Sequence, residues 1–294
     1  MSPHTDNTGD HRWRGPTADE LLGQRATRHT STELTEPVAK TAAETIPVPE
    51  LPELDAEVYL LDPDASGGRA RRTAVHEPLQ GLALDTALSA GGDVVWVDAQ
   101  GHATTHSFAS IAPSKRALDR VHVARAFTTH QHHTLVEQVG RWIRGEPDGP
   151  FGTPETDTPA VVVCPAIDAL YRGGDLPRSQ AQTMLLRSLA VLQSLARASS
   201  IPVVLTRTRE DEFTDPLAAS TTTISLEETD FGARFVCDKL DFETLAYPVG
   251  HGQLQTTLAF WKDILASRHP AVAPRNQAAE STPSEPATPG TLEG

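Results

Sequence analysis

Two stretches of this chain, "DVVWVD" at 93–98 and "AVVVCPA" at 160–166, are apolar at nearly every position. A strand with one wet face alternates polar and apolar residues. A run with no polar alternation must be covered on both faces, which is the condition of a strand inside a parallel sheet. Parallel neighbours need crossover connections, and helix-patterned segments supply them here. "PLQGLALDTALSAGG" is apolar at Leu79, Leu82, Ala83 and Leu88 and ends in a glycine pair suited to stopping a helix. "HTLVEQVGRWIRG" places Leu135, Val139, Trp142 and Ile143 on one helical face, and "RSQAQTMLLRSLAVLQSLARAS" is the longest helical pattern. "EVYLL", "RVHVARAF" and "IPVVLTRT" are further strands. The segments "TTTISLEE", "ARFVCDK", "FETLAYPV" and "LQTTLAFW" have the spacing of short hairpin strands. The predicted fold is α/β: a doubly wound, mostly parallel sheet with helices on both faces and a C-terminal antiparallel hairpin extension.

Outside this core the composition changes. Residues 1–50 are rich in Thr, Glu, His and Pro, and 269–294 in Pro, Ala, Thr and Glu. Neither can bury enough apolar area to offset chain entropy, so both are expected to be disordered tails around a core at 51–268. The formal charge is −14, and only four of the 25 basic residues are lysine. Such a surface repels nucleic acid at ordinary ionic strength, so DNA binding is expected to be weak or indirect. It also resembles the solvating surface of proteins from salt-loving archaea, and at 1 M salt a Debye length of about 3 Å would erase most of that repulsion. Cys164 and Cys237 are too few and too far apart for a disulfide framework, and no apolar run reaches membrane-spanning length. With no signal peptide at the start, a cytoplasmic location is expected.

Ligands of open α/β sheets bind at the carboxyl ends of the strands. One such end is "VVWVDAQGHATTH", which carries Asp98, Gln100, Gly101, His102 and His106. The histidines admit a metal reading. His102, His106, His130 and His132 follow neighbouring predicted strands, and imidazole suits Zn²⁺, Cu²⁺ or Ni²⁺. Against it, the pair at 102 and 106 needs a helix to bring both rings to one face, and "GHATTHS" is a poor helix candidate. "AFTTHQHHTLVEQ" is also simply a polar turn into a helix.

"VVWVDAQG", "VHVARAFTTHQHHTLVEQV" and "VVVCPAIDALYRGGDLPRSQAQTMLLRSLAVLQSLARASSIPVVLTRT" together resemble, in order and spacing, the ATPase core of the archaeal RadA recombinases and their RecA-like relatives. The resemblance covers roughly Val58 to Trp261. It implies a RecA-like sheet, and it also makes the departures informative. An active member follows its first core strand with a glycine-rich loop ending in Lys and Ser or Thr. This chain has "DPDASGGRARRTAVHEP", with Asp62 and Asp64 where phosphate would sit. Gln100 stands where the resemblance implies a catalytic Glu, and an amide cannot take a proton from water. Pro165 stands in place of the metal-orienting Asp, and Thr208 in place of a sensor Gln. With phosphate cradle, metal carboxylate and base absent together, the implied protein has no ATPase activity and no cofactor.

Asp168, Arg172 and Arg178 fall where the resemblance implies a first DNA-facing loop, although a solvated loop beside a helix is the plainer reading. The second such loop, "REDEFTDPLAAS", is acidic. The family's self-assembly motif is missing, since no Phe precedes Phe108. The resulting expectation is a non-catalytic RecA/RadA-like protein whose partner is a recombinase or another repair protein. The alternative is a small-ligand or metal-binding regulator that reuses the strand-end crevice, and a weak ATPase comes third. Asp98, Gln100, Gly101, His130, Pro165 and Thr208 are the expected remnant of a nucleotide-site edge.

Overall fold

The computed structural model describes residues 50–63, 75–99, 101, 103–146, 159–173, 176–229, 232–244, 246–249, 253–256 and 261–273. The expected tails, apart from Glu50 and the turn at 269–273, lie outside the described residues. The strands are β1 (Val58–Pro63), β2 (Asp93–Asp98), β3 (Val121–Arg125), β4 (Pro159–Cys164), β5 (Val203–Leu205), β6 (Thr222–Thr229), β7 (Gly232–Cys237), β8 (Phe242–Glu243), β9 (Ala246–Val249) and β10 (Gln253–Thr256). The helices are α1 (His76–Ala90), α2 (Thr105–Ile111), α3 (Lys115–Leu118), α4 (Thr129–Ile143), α5 (Ala169–Arg172), α6 (Arg178–Ser199), α7 (Asp215–Ala218) and α8 (Trp261–Arg268). Eight strands form one mixed sheet in the order β3-β2-β4-β5-β1-β6-β7-β8, while β9 and β10 pair as a separate antiparallel ribbon. Every pairing from β3 to β6 is parallel, and β7 and β8 run antiparallel at the far side.

The apolar runs behave as their composition requires. Tyr59, Leu61, Val94, Trp96, Val161, Val163 and Val204 pack with α1, α2 and α8 on one face of the sheet. Their alternating neighbours Val58, Leu60, Val95, Val97, Val162, Cys164, Val203 and Leu205 pack with α4 and α6 on the other. A one-residue slip of any strand would swap these sets, so the register is strongly specified. Trp96 meets Phe108 edge to face at 5.0 Å between centroids, an arrangement worth about 1 kcal/mol beyond its buried area. Gly91, at φ 72°, closes α1 in the left-handed conformation that the glycine pair suggested.

Three expectations are corrected. "TTTISLEE" does form an antiparallel hairpin with "ARFVCDK", but it is not confined to the extension. As β6 it pairs in parallel with β1, and the antiparallel extension begins only at β7. "LQTTLAFW" does not end as a strand: Trp261 opens α8 and is buried against α1, where a Cβ on Gly81 would stand 2.1 Å from its ring. "GHATTHS" runs into a helix after all, because Thr104 and Ser107 form a reciprocal capping box at the start of α2. A cap with Ser instead of Glu at its third position carries a weaker sequence signature, and the cap overrides the poor propensity of Thr and Ser.

Candidate functional site

Parallel strands point one way, so residues far apart in sequence gather at the carboxyl edge of the sheet. Asp98 ends β2, and Arg125 ends the neighbouring β3 in register with it. Pro165 follows β4, and Thr206, Arg207 and Thr208 follow β5. Asp62 lies near the end of β1. The expected convergence of Asp98 and Pro165 on neighbouring strands is what the sheet order produces. His130 lies just beyond β3, exposed in the first turn of α4.

Among the described residues, Asp62, Asp98 and Asp168 along this edge are each paired with an arginine. Asp98 is fully buried and accepts hydrogen bonds from the Gly101 amide at 2.9 Å, the Ala103 amide at 3.3 Å and Arg125 Nε at 3.0 Å. Gly101 adopts φ 77°, the left-handed conformation that glycine takes without strain. Arg125 also donates to the Ala103 carbonyl at 2.8 Å, tying β3 to the turn after β2.

Between β4 and β5, Asp168 is likewise fully buried. It accepts from the Thr208 amide at 2.7 Å, from the Thr208 hydroxyl and from Arg172 Nε. Arg172 spends its two terminal nitrogens on Asp211, both at 2.8 Å, and stacks over Phe213 at 4.9 Å. The Arg172 guanidinium holds the Asp211 carboxyl far below the usual carboxylate range. The turn that presents Asp168 is strained: Ala166 sits at φ 47° and is held by its amide donating to Thr206 Oγ1 at 2.7 Å.

A third pair joins β1 to the chain after β5. Arg207, whose side chain is only 5% exposed, reaches Asp62 through two nitrogens and Glu210 at 3.4 Å. Burial works against its charge, but Asp62 and Glu210 outweigh it and the guanidinium holds its proton more tightly than usual.

This geometry limits the chemistry available. A carboxylate saturated by amides and a guanidinium is a poor base and a poor metal ligand. Arg172 is therefore not a free phosphodiester contact as its loop position suggested, because Asp168 and Asp211 occupy it. Arg178 also lies over the Phe213 ring, at 5.7 Å from its centroid. Gln100 and His102 lie outside the described residues, as does Asp64. The histidine grouping is not assembled among the described members. His106 is exposed on α2 and His130 is exposed on α4. His132 is buried, with Nδ1 2.9 Å from Tyr171 Oη. Among the described residues no cluster of three or more His, Cys, Asp or Glu side chains could hold a metal ion. Burial pushes the Cys164 thiol up to about 12, which leaves it a core residue rather than a nucleophile.

Sequence reasoning missed Arg125, Arg207 and Asp211. A usable signal was present for the two arginines, since each falls within two residues of a strand's carboxyl end. Among the described residues no helix is long and apolar enough to cross a membrane. No protein-family model matches this chain, and no curated protein matches it.

Proposed function

We propose that the chain is a non-catalytic RecA/RadA-like protein that acts as an accessory or regulatory partner in DNA recombination or repair. The observation that carries the reading is the closed carboxyl edge. Where phosphoryl transfer needs a cradle, a metal carboxylate and a free base, the described part of this edge has Asp62–Arg207, Asp98–Arg125 and Asp168–Arg172–Asp211 in ion pairs. The strand order β3-β2-β4-β5-β1 is consistent with it, because it makes neighbours of the segments that resemble the recombinase core.

A partner protein needs a surface, and the β3 edge supports one. Val123 and Phe127 are the exposed large hydrophobics among the described residues, at 42% and 73%, and both lie on or just after this edge strand. An edge strand offers unpaired backbone groups to an incoming strand. The test has two arms at high salt. ATP turnover and binding by the purified chain should stay at the blank, and the chain should alter strand exchange by a RadA-type recombinase unless Val123 and Phe127 are both changed to Asp. Turnover that vanishes on mutating Asp98, or no effect on the recombinase, would refute the proposal.

A further inference from the structure

We propose that the groove between the first turn of α4 and the N-terminal half of α6 docks an acidic protein segment. Helix α6 has 22 residues with Arg178, Arg187 and Arg197 and no Asp or Glu, in a chain whose 39 acidic residues outnumber its 25 basic ones. Its groove encloses about 380 Å³. Exposed His130, Ser179, Thr183 and Arg187 form the walls, and half-buried Leu176 and Met184 rest on the core.

Arg187 and His130 set this groove apart from the carboxyl edge. Neither side chain makes an ion pair or hydrogen bond with a described residue, whereas Arg125, Arg172 and Arg207 are each committed to a carboxylate. The helix adds to the field, because Pro177 gives α6 no side-chain cap and its first amides remain donors.

The shape selects the kind of ligand. Ser179 and Arg187 are eight residues apart on one helix face, about 12 Å at 1.5 Å per residue, so a single small anion cannot engage both. A short length of polypeptide can. Small-molecule sites bury about 70–90% of their ligand, and the mostly exposed walls here cannot. Single-stranded nucleic acid needs aromatic platforms for its bases, and the groove has no Phe, Tyr or Trp among its lining residues. A segment with carboxylates opposite Arg187 and His130, and an apolar side chain against Leu176 and Met184, matches both charge and floor. This inference rests on charge complementarity and does not depend on the recombinase reading.

The experiment is to pan a random-peptide display library on the full chain and measure the enriched peptides by fluorescence anisotropy. Enriched peptides should carry Asp or Glu beside apolar residues. They should bind about tenfold or more weakly to Arg187→Glu and to His130→Glu, and equally well to Arg197→Glu, which sits on the same helix outside the groove. Matching circular dichroism and thermal melts confirm that the variants fold. No enrichment, enrichment of acid-free peptides, or binding indifferent to both groove variants overturns the proposal. Labelled oligothymidylate that binds more tightly than any peptide and is lost in Arg187→Glu also overturns it, and assigns the groove to nucleic acid.

Discussion

Arg172 and Arg187 lie on consecutive helices yet meet opposite fates. At the carboxyl edge a guanidinium is shut between two carboxylates, while in the α4–α6 groove it faces solvent with no described acid in reach. The difference teaches where this chain's charge is structural and where it is available. Burying an arginine is tolerable only with a partner, and once partnered it no longer attracts anything else. An exposed arginine contributes little to folding and keeps its full valence for a ligand.

The largest effect should come from breaking an edge pair. Arg207→Ala leaves Asp62 without its guanidinium in a largely buried setting, and removing one partner of a buried pair costs about 3–5 kcal/mol. Urea denaturation at constant salt should show the midpoint falling accordingly, and a loss under about 1 kcal/mol would mean that the edge is not held by its ion pairs.

Acidification should come next, acting on a buried histidine of α4. His132 Nδ1 meets Tyr171 Oη, which in turn meets Ser188 Oγ at 2.8 Å, and His133 Nδ1 reaches the same Ser188 oxygen at 2.8 Å. Burial, followed by the nearby His133, lowers His132 to about 4. The unfolded chain takes up this proton near pH 6.5 and the folded chain does not. Stability is therefore complete above about pH 6.5 and falls as the pH drops toward 4, by about 3 kcal/mol in all. Denaturant midpoints measured across that window should slope downward on acidification, and His132→Phe should remove most of the slope.

The smallest effect sharpens the other side of the comparison. Arg187→Ala should shift the same midpoint by under about 0.5 kcal/mol, because nothing described leans on its charge. A large loss would show that Arg187 is structural and that the two regions do not differ.

The sequence reading reached the sheet more readily than the site, for a physical reason. Burial on both faces leaves a continuous apolar run, so β2 and β4 declare themselves locally. Direction does not: "TTTISLEE" reads the same whether it pairs in parallel or antiparallel, and its place beside β1 is decided by tertiary packing. Helix α2 was hidden because its start depends on a reciprocal cap between Thr104 and Ser107 rather than on propensity. Asp98, Pro165 and Thr208 could be placed at one edge because strand ends converge. The pairings that close that edge could not, since Asp62 and its arginine are separated by 145 positions and no local pattern joins them. Arg172 was noticed for its charge, and its commitment to Asp211 appears only in three dimensions.

The seating of Trp261 on Gly81 bears on how the chain comes into being. Helix α1 leaves the ribosome early among the described core elements, and α8, which covers it and adds the Arg268–Asp85 pair at 2.7 Å, is the last of those described. Without α8, the hollow over Gly81 that the Trp261 ring fills would be bare apolar surface. Closing so long a loop carries an entropic cost that grows only slowly with its length, but the exposure lasts for the whole of synthesis. A net charge of −14 would oppose the association of half-made chains by mutual repulsion while that hollow waits to be filled.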